Sequence, residues 1–169
     1  MPETIGIFGE INEETTSSFI TELFDVDWSK EKELDIIVSS QGGSLDFCFA
    51  IIDAINVIKQ TYNVKVKTLG LGLVASSGFL IFLIGDERVL SPNCRVFVHE
   101  HMISFENVSY DKMKEVSKDN KQDFRKYIMY IAERLGITKR KAISFIKHER
   151  NLSKKEISLY NIEKSTCSN

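Results

Sequence analysis

Apolar positions along this chain fall into two alternating rhythms. Ile5-Gly6-Ile7-Phe8 reads as a short strand, and Asn12, followed by Glu13 and Glu14, predicts a helix to about Phe24, with both acids at its positive N-terminal end. Leu34-Asp35-Ile36-Ile37-Val38 is β-rich and runs into Gln41-Gly42-Gly43-Ser44, where two glycines allow a turn that side chains would block. Ser44 then stands as the cap of a helix whose Leu45, Cys48, Phe49, Ile52, Ile55 and Ile58 recur on one face. Val64, Val66 and Thr68 alternate with lysines, the pattern of a strand with one side toward the core.

Beyond this strand, Phe79 to Ile84 are apolar with no polar face. A helix there must be covered on all sides, by its own domain or by a neighbouring subunit, and such burial hints at oligomerisation. Arg88-Val89-Leu90 and Arg95-Val96-Phe97-Val98 predict short strands separated by the turn Ser91-Pro92-Asn93. From Asp111 to Leu135 the pattern is helical, with Met113, Val116, Phe124, Tyr127, Ile128, Ile131 and Leu135 as the apolar stripe and Gly136 as its C-cap. Thr138 opens another helix, and Ser153 to Glu156 has the spacing of a capping box. No repeat, low-complexity tract or linker interrupts the chain, so 1–169 reads as a single α/β domain.

Composition narrows the function classes. With 22 Lys and Arg against 24 Asp and Glu, the net charge of -2 gives no field for nucleic acid or an anionic membrane. Cys48, Cys94 and Cys167 are odd in number and widely separated, which points to incidental thiols in a reducing compartment. The N-terminus carries an acid where a signal peptide needs basic and apolar residues, and no apolar run reaches the roughly 20 residues that span a bilayer. The expectation is a cytoplasmic protein.

Three places can carry chemistry. Ser76, within Gly72-Leu73-Val74-Ala75-Ser76-Ser77-Gly78, lies where a β-rich segment meets an apolar run: either a helix cap or a nucleophile. The Gly42-Gly43 turn is either a tight strand-to-helix connection or a backbone open to a peptide or an oxyanion. His99, at the end of a predicted strand, is either a surface residue or a general base. His99-Glu100-His101 puts two imidazoles on one side of a strand without a third or fourth ligand nearby, so no metal is expected.

Together the three resemble one family, the proteolytic subunit of the Clp protease, within the crotonase-like ββα spiral fold. Ile36-Ile37-Val38-Ser39-Ser40-Gln41-Gly42-Gly43-Ser44 is similar to the family's strand and Ser-Pro-Gly-Gly turn, with Gln41 in place of proline. Gly72 to Gly78 resembles its nucleophile segment, usually Ala-Ala-Ser-Met-Gly. Ser91-Pro92-Asn93-Cys94-Arg95-Val96-Phe97-Val98-His99 resembles its Pro-Asn-Ser-Arg strand ending in the catalytic histidine.

The resemblance implies a serine endopeptidase without a cofactor. Ser76 is its nucleophile, His99 its base, and Gly43 and Ser77 supply oxyanion-hole N–H groups; an extended peptide lies beside Gly42 and Gly43. The third catalytic residue aligns with Glu149, where the family has aspartate. Heptameric rings, two of which stack into a tetradecamer through a handle-like segment (about 100–135), are also implied. So is an AAA+ unfoldase partner, although the chain starts almost at its first strand, without the segment that helps engage it. Two other readings remain at this point: a non-catalytic ring subunit, for which Glu149 speaks, and a crotonase-type acyl-CoA hydratase or hydrolase.

Overall fold

In the computed structural model, strand β1 (Glu3–Ile11) runs parallel to β2 (Glu33–Gly43), and β2 parallel to β3 (Lys65–Ala75). The structure describes residues 2–99 and 110–164, with 110–120 as backbone only. The connections are helices α1 (Glu13–Asp25) and α2 (Leu45–Tyr62), so the alternation of rhythms in the sequence becomes β-α-β-α-β. Asn12 caps α1 as expected: its side chain accepts from Thr15 N at 3.0 Å, and the Thr15 hydroxyl accepts from Asn12 N at 3.0 Å. Ser44 stands at the N-cap of α2, but its side chain makes no capping hydrogen bond.

Alternate residues of each strand are buried: Ile5 and Ile7 in β1, Leu34, Ile36 and Val38 in β2, Val66 and Thr68 in β3. Onto them pack Phe19 and Leu23 of α1 and Ile51, Ile52, Ile55 and Ile58 of α2, all at most 2% exposed. The predicted apolar face of α2 is therefore the core face.

Strand β3 serves two partners on one edge. Its first half, Lys67 to Gly70, pairs with β4 (Glu87–Leu90), and its last residues, Leu73 to Ala75, pair with β5 (Arg95–Val98). The break falls at Leu71-Gly72, where Gly72 has φ 59° and the register against β2 jumps from Val38↔Gly70 to Ser40↔Val74. Antiparallel to β5 lies the short β6 (Arg150–Asn151).

Between β3 and β4 sits α3 (Ser77–Phe82), and Phe79 to Ile84 are at most 1% exposed. The cover comes from within the chain, from β2, β3 and α2. The burial of this segment therefore says nothing about oligomerisation, contrary to the expectation from its composition. Just beyond it, the buried Arg88 donates from Nε to the Ile162 carbonyl at 2.8 Å and from its terminal nitrogens to the carbonyls of Asn161, Leu83 and Gly85. A guanidinium offers five donors, and here the acceptors are the carbonyls just past α3 and those just past α6 (Lys154–Leu159).

By contact the chain divides into two compact units, 1–98 with 150–169, and 99–149. Among the described residues of the second are α4 (Tyr110–Leu135) and α5 (Lys139–Ile146). Tyr127, Ile128, Ile131 and Leu135 of the predicted stripe are buried and Phe124 is half-buried. Met113 and Val116 lie outside the residues whose side chains are described, as does 100–109 altogether, with Glu100, His101 and the start of the handle-like segment. Gly136, at φ 63°, ends α4, with Ile137 N donating to the Ala132 carbonyl at 2.9 Å. Thr138 caps α5 through Lys141 N. Among the described residues no helix is long and apolar enough to cross a membrane.

Two predictions follow from these polar contacts. Arg88→Met keeps the volume but strips the donors from buried carbonyls, and is expected to cost about 3 kcal/mol in urea denaturation. Glu156, in the capping box of α6, has its carboxyl held down to about 2 from an ordinary 4.5, chiefly by the Ser153 N–H, then by the Arg150 side chain and the Ser153 hydroxyl. The folded carboxyl takes a proton less readily than the unfolded one. Its contribution is thus complete above about pH 4.5 and is lost as pH falls toward 2; a Glu156→Gln variant should lose less stability across that window in acid titrations monitored by circular dichroism.

Candidate active site

Ser76 is the single residue between β3 and α3, and its backbone is at φ 51°, ψ -126°. These are the angles of the first corner of a type II′ turn, which glycine adopts freely and serine adopts at a cost of about 1–3 kcal/mol. What holds it there is on both sides. Upstream, Ala75 is paired with Phe97 of β5 and the Ser76 N–H reaches the Phe97 carbonyl at 3.4 Å. Downstream, the Ser76 carbonyl accepts from Phe79 N at 3.0 Å and opens a helix sunk wholly in the core. Ser76 occupies the N-cap position without a side-chain capping bond, so the helix-cap reading does not account for it. A serine on a sharp, strained strand-to-helix turn is how hydrolases present a nucleophilic hydroxyl.

The glycines of β2 lie directly against this turn. A Cβ on Gly42 would stand 2.5 Å from Ser76 Cβ and 3.0 Å from its Oγ, so the bare Gly42 backbone forms one wall beside the hydroxyl. On Gly43 a Cβ would fall 2.2 Å from the Ile11 carbonyl oxygen. Gly42 and Gly43 have φ 100° and 153°, and β2 continues through both rather than ending before them as a separate turn. Gln41, where the resembling family has proline, is exposed. The Ser40 hydroxyl, beneath, donates to the Gly9 carbonyl at 2.6 Å and accepts from Gly42 N at 3.0 Å.

Ser77, the next residue, is 1% exposed. Its hydroxyl donates to the Gly43 carbonyl at 3.1 Å and its carbonyl accepts from the Cys48 thiol at 3.3 Å. Burial pushes that thiol far above the ordinary range, so it stays a protonated donor. Four of the expected residues, Gly42, Gly43, Ser76 and Ser77, thus meet within the first unit. The Ser77 hydroxyl and the Cys48 thiol were not legible as parts of the site: a small residue in a small-residue turn and a Cys on an apolar helix face carry no signal of whom they touch.

His99 and Glu149 belong to the second unit. The half-buried His99 follows β5 directly, and its carbonyl accepts from the Tyr127 hydroxyl at 3.5 Å. Glu149, exposed, directly precedes β6. The β5–β6 ladder, within the first unit, pairs Phe97 with Asn151 and Val98 with Arg150.

A model of the Clp protease family matches residues 2–162. Relatives include the ATP-dependent Clp protease proteolytic subunit 1 of Bacillus cereus, 35% identical over 97 residues, or 56% of this chain and 48% of the relative. Proteolytic subunit 2 of Borreliella burgdorferi is 32% identical over 111 residues, 64% of this chain and 54% of the relative. Proteolytic subunit 2 of Treponema pallidum is 33% identical over 106 residues, 61% and 51%. The chain spans about half the length of the curated relatives it matches.

The close approach at Gly43 makes a prediction that is independent of chemistry. Gly43→Ala must both adopt a positive φ and displace the end of β1, at an expected cost of about 3 kcal/mol in denaturant titration. Gly9→Ala, also at positive φ but with nothing within 4 Å of the added carbon, should cost only about 1–2 kcal/mol.

Proposed function

The chain belongs to the Clp protease family, and from that premise we propose that it is a Clp-type serine endopeptidase subunit, cutting peptide bonds of unfolded proteins or peptides. The observation that carries the proposal is the backbone of Ser76, strained at φ 51°, ψ -126° on a strand-to-helix turn with no capping bond to justify it.

Ser76 Oγ attacks the scissile carbonyl and His99 takes its proton, then passes it to the leaving amine. The N–H groups of Gly43 and Ser77 receive the developing oxyanion, each worth about 10²–10³ in turnover when well placed. Water, activated by His99, then releases the acyl group from Ser76. The substrate lies extended along the backbone at Gly42-Gly43, of which Gly43 is exposed, in the manner of an added strand. No cofactor takes part in these steps.

Glu149 is the third member in this reading, and the ladder register supports it. In an antiparallel pair the residue numbers of partners sum to a constant, here that of Val98 with Arg150. One step further along both strands, the same register names His99 and Glu149. A carboxylate one methylene longer than aspartate can still hold an imidazole in one tautomer, and serine hydrolases use both acids. Self-association into heptameric rings, stacked in pairs, and delivery of substrate by an AAA+ unfoldase complete the proposal, as does a cytoplasmic location.

In the assembled protein, a fluorophosphonate should label Ser76, and Ser76→Ala should abolish both labelling and peptide hydrolysis while leaving assembly intact. Cleavage at the parent rate by Ser76→Ala, or failure of the parent to label, would overturn the peptidase reading. Glu149→Gln is expected to lower turnover by about 10³–10⁴; a loss below tenfold would remove Glu149 from the triad.

A further inference from the structure

Two peptide groups must point the same way for an oxyanion hole to exist, and one of them sits in a Gly-Gly pair. Without side chains, such a pair has the most backbone freedom in the chain. The Gly43–Ser44 peptide is nonetheless fastened at both ends: the Gly43 carbonyl accepts from the Ser77 hydroxyl at 3.1 Å, and Ser44 N donates to the Ile11 carbonyl at 2.9 Å. The Gly42–Gly43 peptide, which carries the Gly43 N–H, shares the Gly43 Cα with this fastened plane, so the two hydrogen bonds hold the pivot about which that N–H turns. At the other side, Ser77 is held through its hydroxyl by Gly43 and through its carbonyl by the Cys48 thiol at 3.3 Å. The side chain of Ser77 therefore crosses from the start of α3 to the end of β2 and ties together the residues whose N–H groups the peptidase reading assigns to the oxyanion.

Resting on that reading, we propose that the Ser77 side chain is a positioning residue that preforms the oxyanion hole, with Cys48 as its buried support. The hydroxyl does not touch the reacting atoms. It acts by holding the Gly43 and Ser77 backbones, the pivots of the two oxyanion-facing peptides, at one separation before substrate arrives, so that less reorganisation is needed during acyl transfer.

The test uses the full chain and a fluorophosphonate, whose phosphoryl oxygen occupies the oxyanion position in the adduct with Ser76. Two quantities are read: the second-order rate constant of labelling and the fraction labelled at saturation. Ser77→Ala should slow labelling about 10- to 100-fold at an unchanged plateau, and lower kcat for a fluorogenic peptide with KM altered less than about twofold. Ser77→Cys restores a weaker donor of similar size and should fall between. A lower plateau at the parent rate constant would show that the hydroxyl serves folding alone, and equal rates in parent and Ser77→Ala would likewise overturn the inference while leaving the peptidase reading in place. Should Ser77→Ala fail to fold, the Ser77→Cys rate decides on the same terms. A parent that does not label at Ser76 overturns the peptidase reading, and this inference with it.

Discussion

Three backbone approaches that no side chain would permit hold the site end of the sheet together. Gly42 lies against Ser76, Gly43 against the backbone of Ile11, and Gly78 against Ser40, where an added Cβ would meet the Ser40 Cβ at 2.9 Å. Each brings a different pair of elements into contact: β2 with the β3–α3 turn, β2 with β1, and α3 with β2. The ladders beside these approaches do not run in simple register. β1 and β2 slip between Phe8 and Glu10, and β2 and β3 slip between Val38 and Ser40. Both irregularities sit beside the turn that carries Ser76, as bulges next to reactive groups commonly do.

Backbone polar groups at these approaches find their partners in short side chains. Ser40 bridges Gly9 and Gly42, Ser77 reaches Gly43, and Cys48 reaches Ser77. Thr68, fully buried, donates to the Phe82 carbonyl at 2.7 Å, and Arg88 takes up the carbonyls that follow. Helix α3 is thus anchored at its start by glycine contacts and at its end by a guanidinium, which also binds the segment after α6. The strain at Ser76 persists because both flanks of the turn are immobilised.

Most of the secondary structure was legible along the chain. The apolar stripe of α2, the alternation at Val64, Val66 and Thr68, the Asn12 and Thr138 caps and the Ser153–Glu156 capping box all stand where the spacing puts them, since each depends on residues within one or two turns. Strand ends were less legible. β1 and β2 run longer than their apolar cores, because polar residues such as Glu3, Glu10 and Glu33 are held in the ladder by partners distant in sequence. The segment from Phe79 to Ile84 announced complete burial but not by what; its cover is α2 and the sheet of its own unit.

The sequence by itself determined the α/β alternation, the order of the motifs and hence the family, since periodicity, caps and motif spacing are local and survive without coordinates. It also singled out Ser76, Gly42 and Gly43, because residues without bulk mark places where backbones come close. Only the tertiary structure decided that Ser76 is strained rather than capped, that Gly42 forms the wall beside its hydroxyl, and that Ser77 and Cys48 fasten the adjoining peptides. Those facts depend on contacts between residues about 30 apart in the chain, Ser77 with Gly43 and Cys48 with Ser77. A linear pattern encodes which groups are small and which can donate, but packing chooses their partners.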